Sequence, residues 1–152
     1  MASRRKAREF ALQALYQLDL VKSEPGSSLN GLWAGLLDGD GIDGIRAPES
    51  AEVEFAQRLV FGVVKEMADL DQRIESCSTN WRVYRMPVVD RNILRIACLE
   101  LLSFEDVPAT VSINEAVELA KKFGTKESKA FVNGIADRLG RNMGRLERET
   151  DG

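Results

Sequence analysis

The chain has 152 residues, long enough for one sizeable core, and carries 24 Asp and Glu against 21 Lys and Arg. Hydrophobic content of 44% and charged content of 30% are ordinary for a globular protein, and no apolar run approaches the length of a membrane span. There is no histidine, which excludes His-based catalytic triads and the usual zinc sites.

The chain opens with "SRRKAREFALQALYQLDL", in which Arg4, Arg5, Lys6 and Arg8 crowd into one turn ahead of an apolar helix. At about 100° per residue, Ala7, Ala11, Ala14, Leu18 and Val21 share one side. Leu12, Leu15, Tyr16 and Leu20 extend apolar surface further round, leaving Lys6, Gln13 and Gln17 as the polar stripe. The four basic residues point to all sides, which requires the first turn to project into water. A projecting basic arm suits phosphate groups, because arginine forks match their oxygens. This N-terminus lacks an apolar signal core, which argues against secretion and for a cytoplasmic protein.

Residues 23–48 are rich in glycine and weakly patterned, and read as a flexible loop with a short helix near Leu29–Leu37. Asp38, Asp40 and Glu49 match three positions of a calcium loop, but Ile42 and Asp43 occupy positions that need an oxygen ligand and a glycine. A solvated loop is the better reading.

From about Glu49 to Glu75, Ala56, Val60, Val63, Met67, Leu70 and Ile74 recur at alternating spacings of four and three, the mark of one long helix. The waist "CSTNWRVYRMP" follows, dividing the chain into helical halves of about 1–76 and 77–145 within one domain. Pro87 can open the next helix, with Val89, Ile93, Ile96, Ala97 and Leu101 as its stripe, and Pro108 closes it. In "SINEAVELAKKFG", Ser112 and Glu115 form a capping box and Gly124 supplies the stop. Thr125 can cap the last helix, "KESKAFVNGIADRLG", before a frayed "RETDG" end. The fold class is all-α, a helical bundle of two packed subdomains. Cys77 and Cys98 lack metal-type spacing and read as reduced thiols.

On the last helix Val132, Ile135, Ala136 and Leu139 form the core stripe, and Phe131 lies at its edge. Glu127, Gly134 and Arg138 share the flank of Phe131, and glycine leaves the ring partly uncovered. Lys126 and Lys129 are nearby. Aromatics among cations are what single-stranded nucleic-acid binders use to stack bases.

The stretches "RRKAREFALQALYQLD", "ILRIACLELL", "VPATVSINEAVELAKKFG" and "ESKAFVNGIADRLG" resemble the NusB family of bacterial transcription antitermination factors, over most of the chain to about Arg141. The resemblance implies a non-catalytic protein with no cofactor and no metal. It implies binding of boxA, a single-stranded leader RNA element, together with NusE, the ribosomal protein that doubles as a transcription factor. The pair would then join an antitermination complex on RNA polymerase during ribosomal RNA synthesis. The family's RNA-contacting arm falls on Arg4, Arg5, Lys6 and Arg8, and its acidic and aromatic positions on Glu127 and Phe131. Its NusE-facing positions fall on Tyr16 and Asp90. Two rival readings stay open: a helical module that self-associates into a homodimer, and the accessory domain of an RNA methyltransferase.

Overall fold

The structure, a computed structural model, describes residues 3–21 and 50–146. The glycine-rich 23–48 stretch, with its calcium-like spacing, and the "RETDG" end lie outside the described residues. Five α-helices and one short 3₁₀ turn make up the regular structure, with no strand among the described residues. The helices are α1 (Arg4–Val21), α2 (Ser50–Cys77), α3 (Val88–Ser103), α4 (Ala109–Phe123) and α5 (Ser128–Asn142). The 3₁₀ turn Val83–Arg85 lies between α2 and α3. The protein is all-α, as its periodicity indicates. No described helix is long and apolar enough to cross a membrane.

The chain divides into two compact units, Met1–Gly62 and Val63–Gly152. The division falls inside α2, not at the waist near residue 76. The apolar stripe of α2 runs without interruption through that point, so the pattern carries no signal of it.

In the first unit, Ala7, Ala11 and Ala14 are fully buried, and Phe10, Leu12 and Leu15 are buried on either side of them. Leu20, expected to carry apolar surface, is 59% exposed. On α2, Phe55, Ala56, Leu59 and Val60 are buried.

The second unit is organised around α3. Every residue from Asp90 to Leu101 is buried, so this helix has no solvent face. Helices α3, α4 and α5 pack on one another pairwise. Five polar side chains are carried inside: Asp90, Arg91, Asn92, Arg95 and Glu100. Arg95 clasps Asp71 of α2 with two bonds, Nε to Oδ1 at 2.8 Å and Nη2 to Oδ2 at 3.0 Å. Its Nη1 donates to Asn92 Oδ1 at 3.0 Å. Arg91 Nη1 donates to the Tyr84 carbonyl at 3.2 Å.

Pro87 is the N-cap of α3, and its carbonyl accepts the Arg91 N–H at 2.9 Å. Pro108 does not merely end α3; it caps α4, which begins at Ala109. Ser112 is therefore a full turn inside α4 and forms no capping box. Its hydroxyl instead donates to buried Glu100 Oε1 at 2.9 Å. A serine that caps and a serine that satisfies a buried carboxylate have the same local sequence, and the fixed φ of the upstream proline decides between them.

Gly124 ends α4 as expected, its N–H bonding to Ala120 O at 2.9 Å. The position favours glycine because of a close approach: a Cβ there would collide with Ser128 Oγ and lie 2.8 Å from Ala120 O. After α5, Gly144 at φ 70° turns the chain so that Arg145 N–H reaches Gly140 O at 2.8 Å. The Arg145 guanidinium then binds the carbonyls of Leu101 and Val107, closing the unit. Cys77 and Cys98 are free thiols and buried. Burial above all pushes the Cys98 thiol up to about 12, so it stays protonated at neutral pH.

Replacing Gly124 by Ala forces its new methyl against the Ser128 side chain and a backbone oxygen. A loss of about 1–3 kcal/mol is expected, the usual cost of overpacking. Urea unfolding of the variant checks this, and an unchanged midpoint would show that α5 can shift at no cost.

Candidate nucleic-acid interface

The basic N-terminus is the start of a capped helix, not a projecting arm. Ser3 Oγ accepts the Lys6 N–H at 3.2 Å, and the Ser3 carbonyl accepts the Ala7 N–H at 3.0 Å, which makes Ser3 the N-cap. The Ser3 N–H donates in turn to Glu52 Oε2 at 2.8 Å, and Glu52 is buried. One turn along α2 from Glu52, the Phe55 ring receives three guanidinium groups. Arg4, Arg8 and Arg58 lie 4.6, 5.3 and 5.8 Å from its centroid.

This changes the roles of the four cations. Arg4 and Arg5 are exposed and Lys6 is half-buried, with Lys6 Nζ 3.5 Å from Glu9 Oε1. Arg8 is only 3% exposed, contrary to the expectation that all four project. Its guanidinium holds α1 to Phe55. Ser3, Arg4, Glu52, Glu54, Phe55 and Arg58 line a surface cavity of about 330 Å³ at this end. Sequence reasoning missed Glu52, Phe55 and Arg58. Their only local signal is an acidic and an aromatic residue three apart at the start of α2, 49 positions from Ser3.

The second group lies at the start of α5. Lys126, Glu127 and Lys129 are exposed, and Phe131 is half-buried. Nothing lies within 4 Å of where a Gly134 Cβ would stand, so that flank of the helix is open, as expected. The start of α5 is held by Ser128, not by a Thr125 cap. The Thr125 N–H donates to Ser128 Oγ at 2.9 Å, and the Ser128 N–H to Thr125 O at 3.1 Å. Arg138 has a structural attachment: its Nη1 donates to the Cys77 carbonyl at 2.7 Å.

The two positions expected to face a partner differ. Tyr16 is half-buried. Asp90 is 4% exposed and so is not a surface residue. Burial raises its carboxyl above the ordinary aspartate range, and a hydrogen bond from the Ser128 side chain opposes part of that rise. Asp90 Oδ1 is buried with no hydrogen-bond partner among the described residues. The dipole of α3 favours a carboxylate in its first turn, but α5 covers the position through Ser128. Asp90 thus sets the start of the helix that carries Phe131.

The NusB family model matches residues 5–141. The chain belongs to the NusB family. It is 45% identical to the transcription antitermination protein NusB of Desulforapulum autotrophicum over 98% of this chain and 100% of that one. Among solved structures it is similar to NusB of T. maritima, with a TM-score of 0.80 and 32% identity over 96% of this chain and 100% of that one. It is also similar to a chain from a complex of the antitermination factors NusB and NusE with double-stranded RNA. That match has a TM-score of 0.76 and 25% identity over 91% of this chain and 96% of the other. Like its NusB relatives, the protein is an antitermination factor, a role of binding and not of catalysis. No His, Cys, Asp or Glu cluster that could hold a metal occurs among the described residues.

Asp90 also gives a pH dependence. A carboxyl whose folded pKa is raised costs stability above that pKa, because the folded state disfavours the charge. The cost shrinks as pH falls from the raised value towards the unfolded one. Asp90→Asn is therefore expected to be at least as stable as the native protein at pH 7, with the difference closing towards pH ~4. Asp90→Lys, which buries an unmatched cation, is expected to lose more than about 3 kcal/mol. Urea melts across that pH range read both.

Proposed function

We propose that this protein binds boxA-type single-stranded leader RNA together with NusE, and that the pair joins an antitermination complex on RNA polymerase during transcription of ribosomal RNA operons. The observation that carries the RNA reading is Phe131, half-buried beside an open Gly134 flank with exposed Lys126 and Lys129 next to it. Membership of a family with a NusB–NusE–RNA complex among its solved structures supports the choice of partner.

The residues divide by chemistry. Arg4, Arg5 and Lys6 neutralise phosphates at the start of α1, with the dipole of that helix adding to their field. Phe131 stacks a base, Lys126 and Lys129 hold its phosphates, and exposed Glu127 accepts from a base amino group. Tyr16 contributes an aromatic surface to the NusE contact. Arg8, Arg138 and Asp90 act at one remove, by holding α1 and α5 in place.

Each neutralised phosphate releases roughly 0.7 counterion from a single strand, so Arg4, Arg5 and Lys6 together contribute about −2 to the slope of log affinity against log salt. Replacing Arg4 and Arg5 with Gln is expected to make the slope shallower by about 1.4, with sequence preference retained. Phe131→Ala is expected to lose about 1–3 kcal/mol of RNA affinity. Deleting residues 2–6 is a poorer test, because it removes the Ser3 cap and its Glu52 bond, at about 0.5–2 kcal/mol of stability. Gel shifts with boxA-type RNA, with and without NusE, measure these quantities. A salt slope unchanged in the Arg4/Arg5 variant would place the binding charge elsewhere.

A further inference from the structure

The segment Trp81–Met86, "WRVYRM", runs through the 3₁₀ turn Val83–Arg85, with extended backbone at Arg82 and Met86 on either side. Val83 and Met86 point inward and are 3% and 2% exposed. Trp81 and Tyr84 are 49% and 66% exposed, large aromatics that the fold leaves in solvent. Arg82 and Arg85 are both exposed. Neither guanidinium forms an ion pair among the described residues, and Arg85 lies 5.8 Å from the centroid of the Tyr84 ring.

The display is fixed in place. The Trp81 N–H donates to Ser78 Oγ at 3.2 Å, the Val83 N–H to Glu75 Oε1 at 3.0 Å, and Met86 N–H to Val83 O at 3.0 Å. Buried Arg91 holds the Tyr84 carbonyl from below. Two further ties set where the segment runs. Arg138 Nη1 and Asn142 Nδ2 bind Cys77, just before it, at its carbonyl and its sulfur. Ser128 binds Asp90, just after it. Ser128 and Arg138 are ten residues apart on α5, about 15 Å of helix. The segment is therefore tied to α5, the helix that carries Phe131, through the residues at both of its ends. Phe131 and Arg138, seven residues apart, share nearly one angular position on that helix.

We propose that Trp81, Arg82, Tyr84 and Arg85 form a second stacking platform that extends the path of single-stranded RNA beyond Phe131. The inference rests on the RNA-binding function proposed above and adds residues to it. Two exposed rings interleaved with two exposed guanidinium groups match the bases and phosphates of one strand. Residues 78–89 contain no acidic side chain, which favours a polyanion over a protein surface of mixed charge.

The test uses the full chain and a labelled single-stranded boxA-type oligoribonucleotide of about 12 nucleotides, alongside one shortened by about four at either end. Tyr84→Ala is expected to weaken binding of the long RNA about tenfold while leaving one shortened RNA bound as by the native protein. Tyr84→Phe is expected to keep native affinity, because stacking needs the ring and not the hydroxyl. Arg82→Gln with Arg85→Gln is expected to make the salt slope shallower by about 1.4. In a Trp33→Phe background, emission from Trp81 reports stacking directly and is expected to be quenched by the long RNA. If the native protein binds RNA but these variants bind it equally and Trp81 is not quenched, the platform is overturned while RNA binding stands. The platform is equally overturned if Tyr84→Ala loses NusE and keeps RNA, which would make this a protein-docking surface. If the native protein binds neither RNA, the proposed RNA-binding function falls, and the platform with it. Thermal melts separate loss of fold from loss of binding, and Tyr84, two-thirds exposed, is the variant least able to disturb the core.

Discussion

The second unit depends on one constraint: a helix enclosed on every side needs partners for the polar side chains it buries, and among the described residues only Asp90 Oδ1 is left without one. An unmatched buried donor or acceptor costs about 1–3 kcal/mol, and a charge costs more. The polar residues of α3 find their partners on different surrounding elements. Arg95 goes to Asp71 of α2, Arg91 to the backbone of the 3₁₀ turn, Glu100 to Ser112 of α4, and Asp90 to Ser128 of α5. Apolar packing alone would hold these helices together but would tolerate sliding. The polar ties specify a position for each. The half-exposed Phe131 and the aromatic pair of the 3₁₀ turn inherit their placement from that set.

This explains what is and is not legible in the amino-acid sequence. Amphipathic periodicity reports a single buried face, so α2 is legible from the alternation running from Ala56 to Ile74. The start at Pro87 and the stop at Gly124 are legible because proline and glycine act locally. The enclosure of α3 is not, since "DRNILRIACLE" reads as a helix with one wet side when five of its residues are polar. The start of α4 is obscured for a related reason, because the hydroxyl of Ser112 is used inside the protein and not at a helix end.

At the candidate interface, the residue types are legible and their burial is not. Phe131 and its open glycine flank follow from spacing along one helix. Arg8 and Asp90 do not, because each is covered by an element distant in sequence: Phe55 in one case and Ser128 in the other. A short basic run carries no local mark that distinguishes a solvated cation from one stacked on a distant ring. The Trp81–Arg85 alternation of aromatic and basic residues is visible in the sequence, but which of its side chains stay in solvent is set by the inward packing of Val83 and Met86.

The first turn of α1 contains three cations and no acidic residue, at the end of a helix whose dipole is already positive. The Ser3 cap, the Glu52 carboxylate and the Phe55 ring act against this self-repulsion. A bound polyanion would act in the same direction, so occupancy and local order at this end would be thermodynamically linked. Ligand that binds the folded state at a hundred times its dissociation constant adds about 2.7 kcal/mol to stability, and here that increment would fall first on the fraying of one helix end. The amides of Arg5, Lys6 and Ala7, which open when that end frays, would then exchange their hydrogens more slowly in the complex.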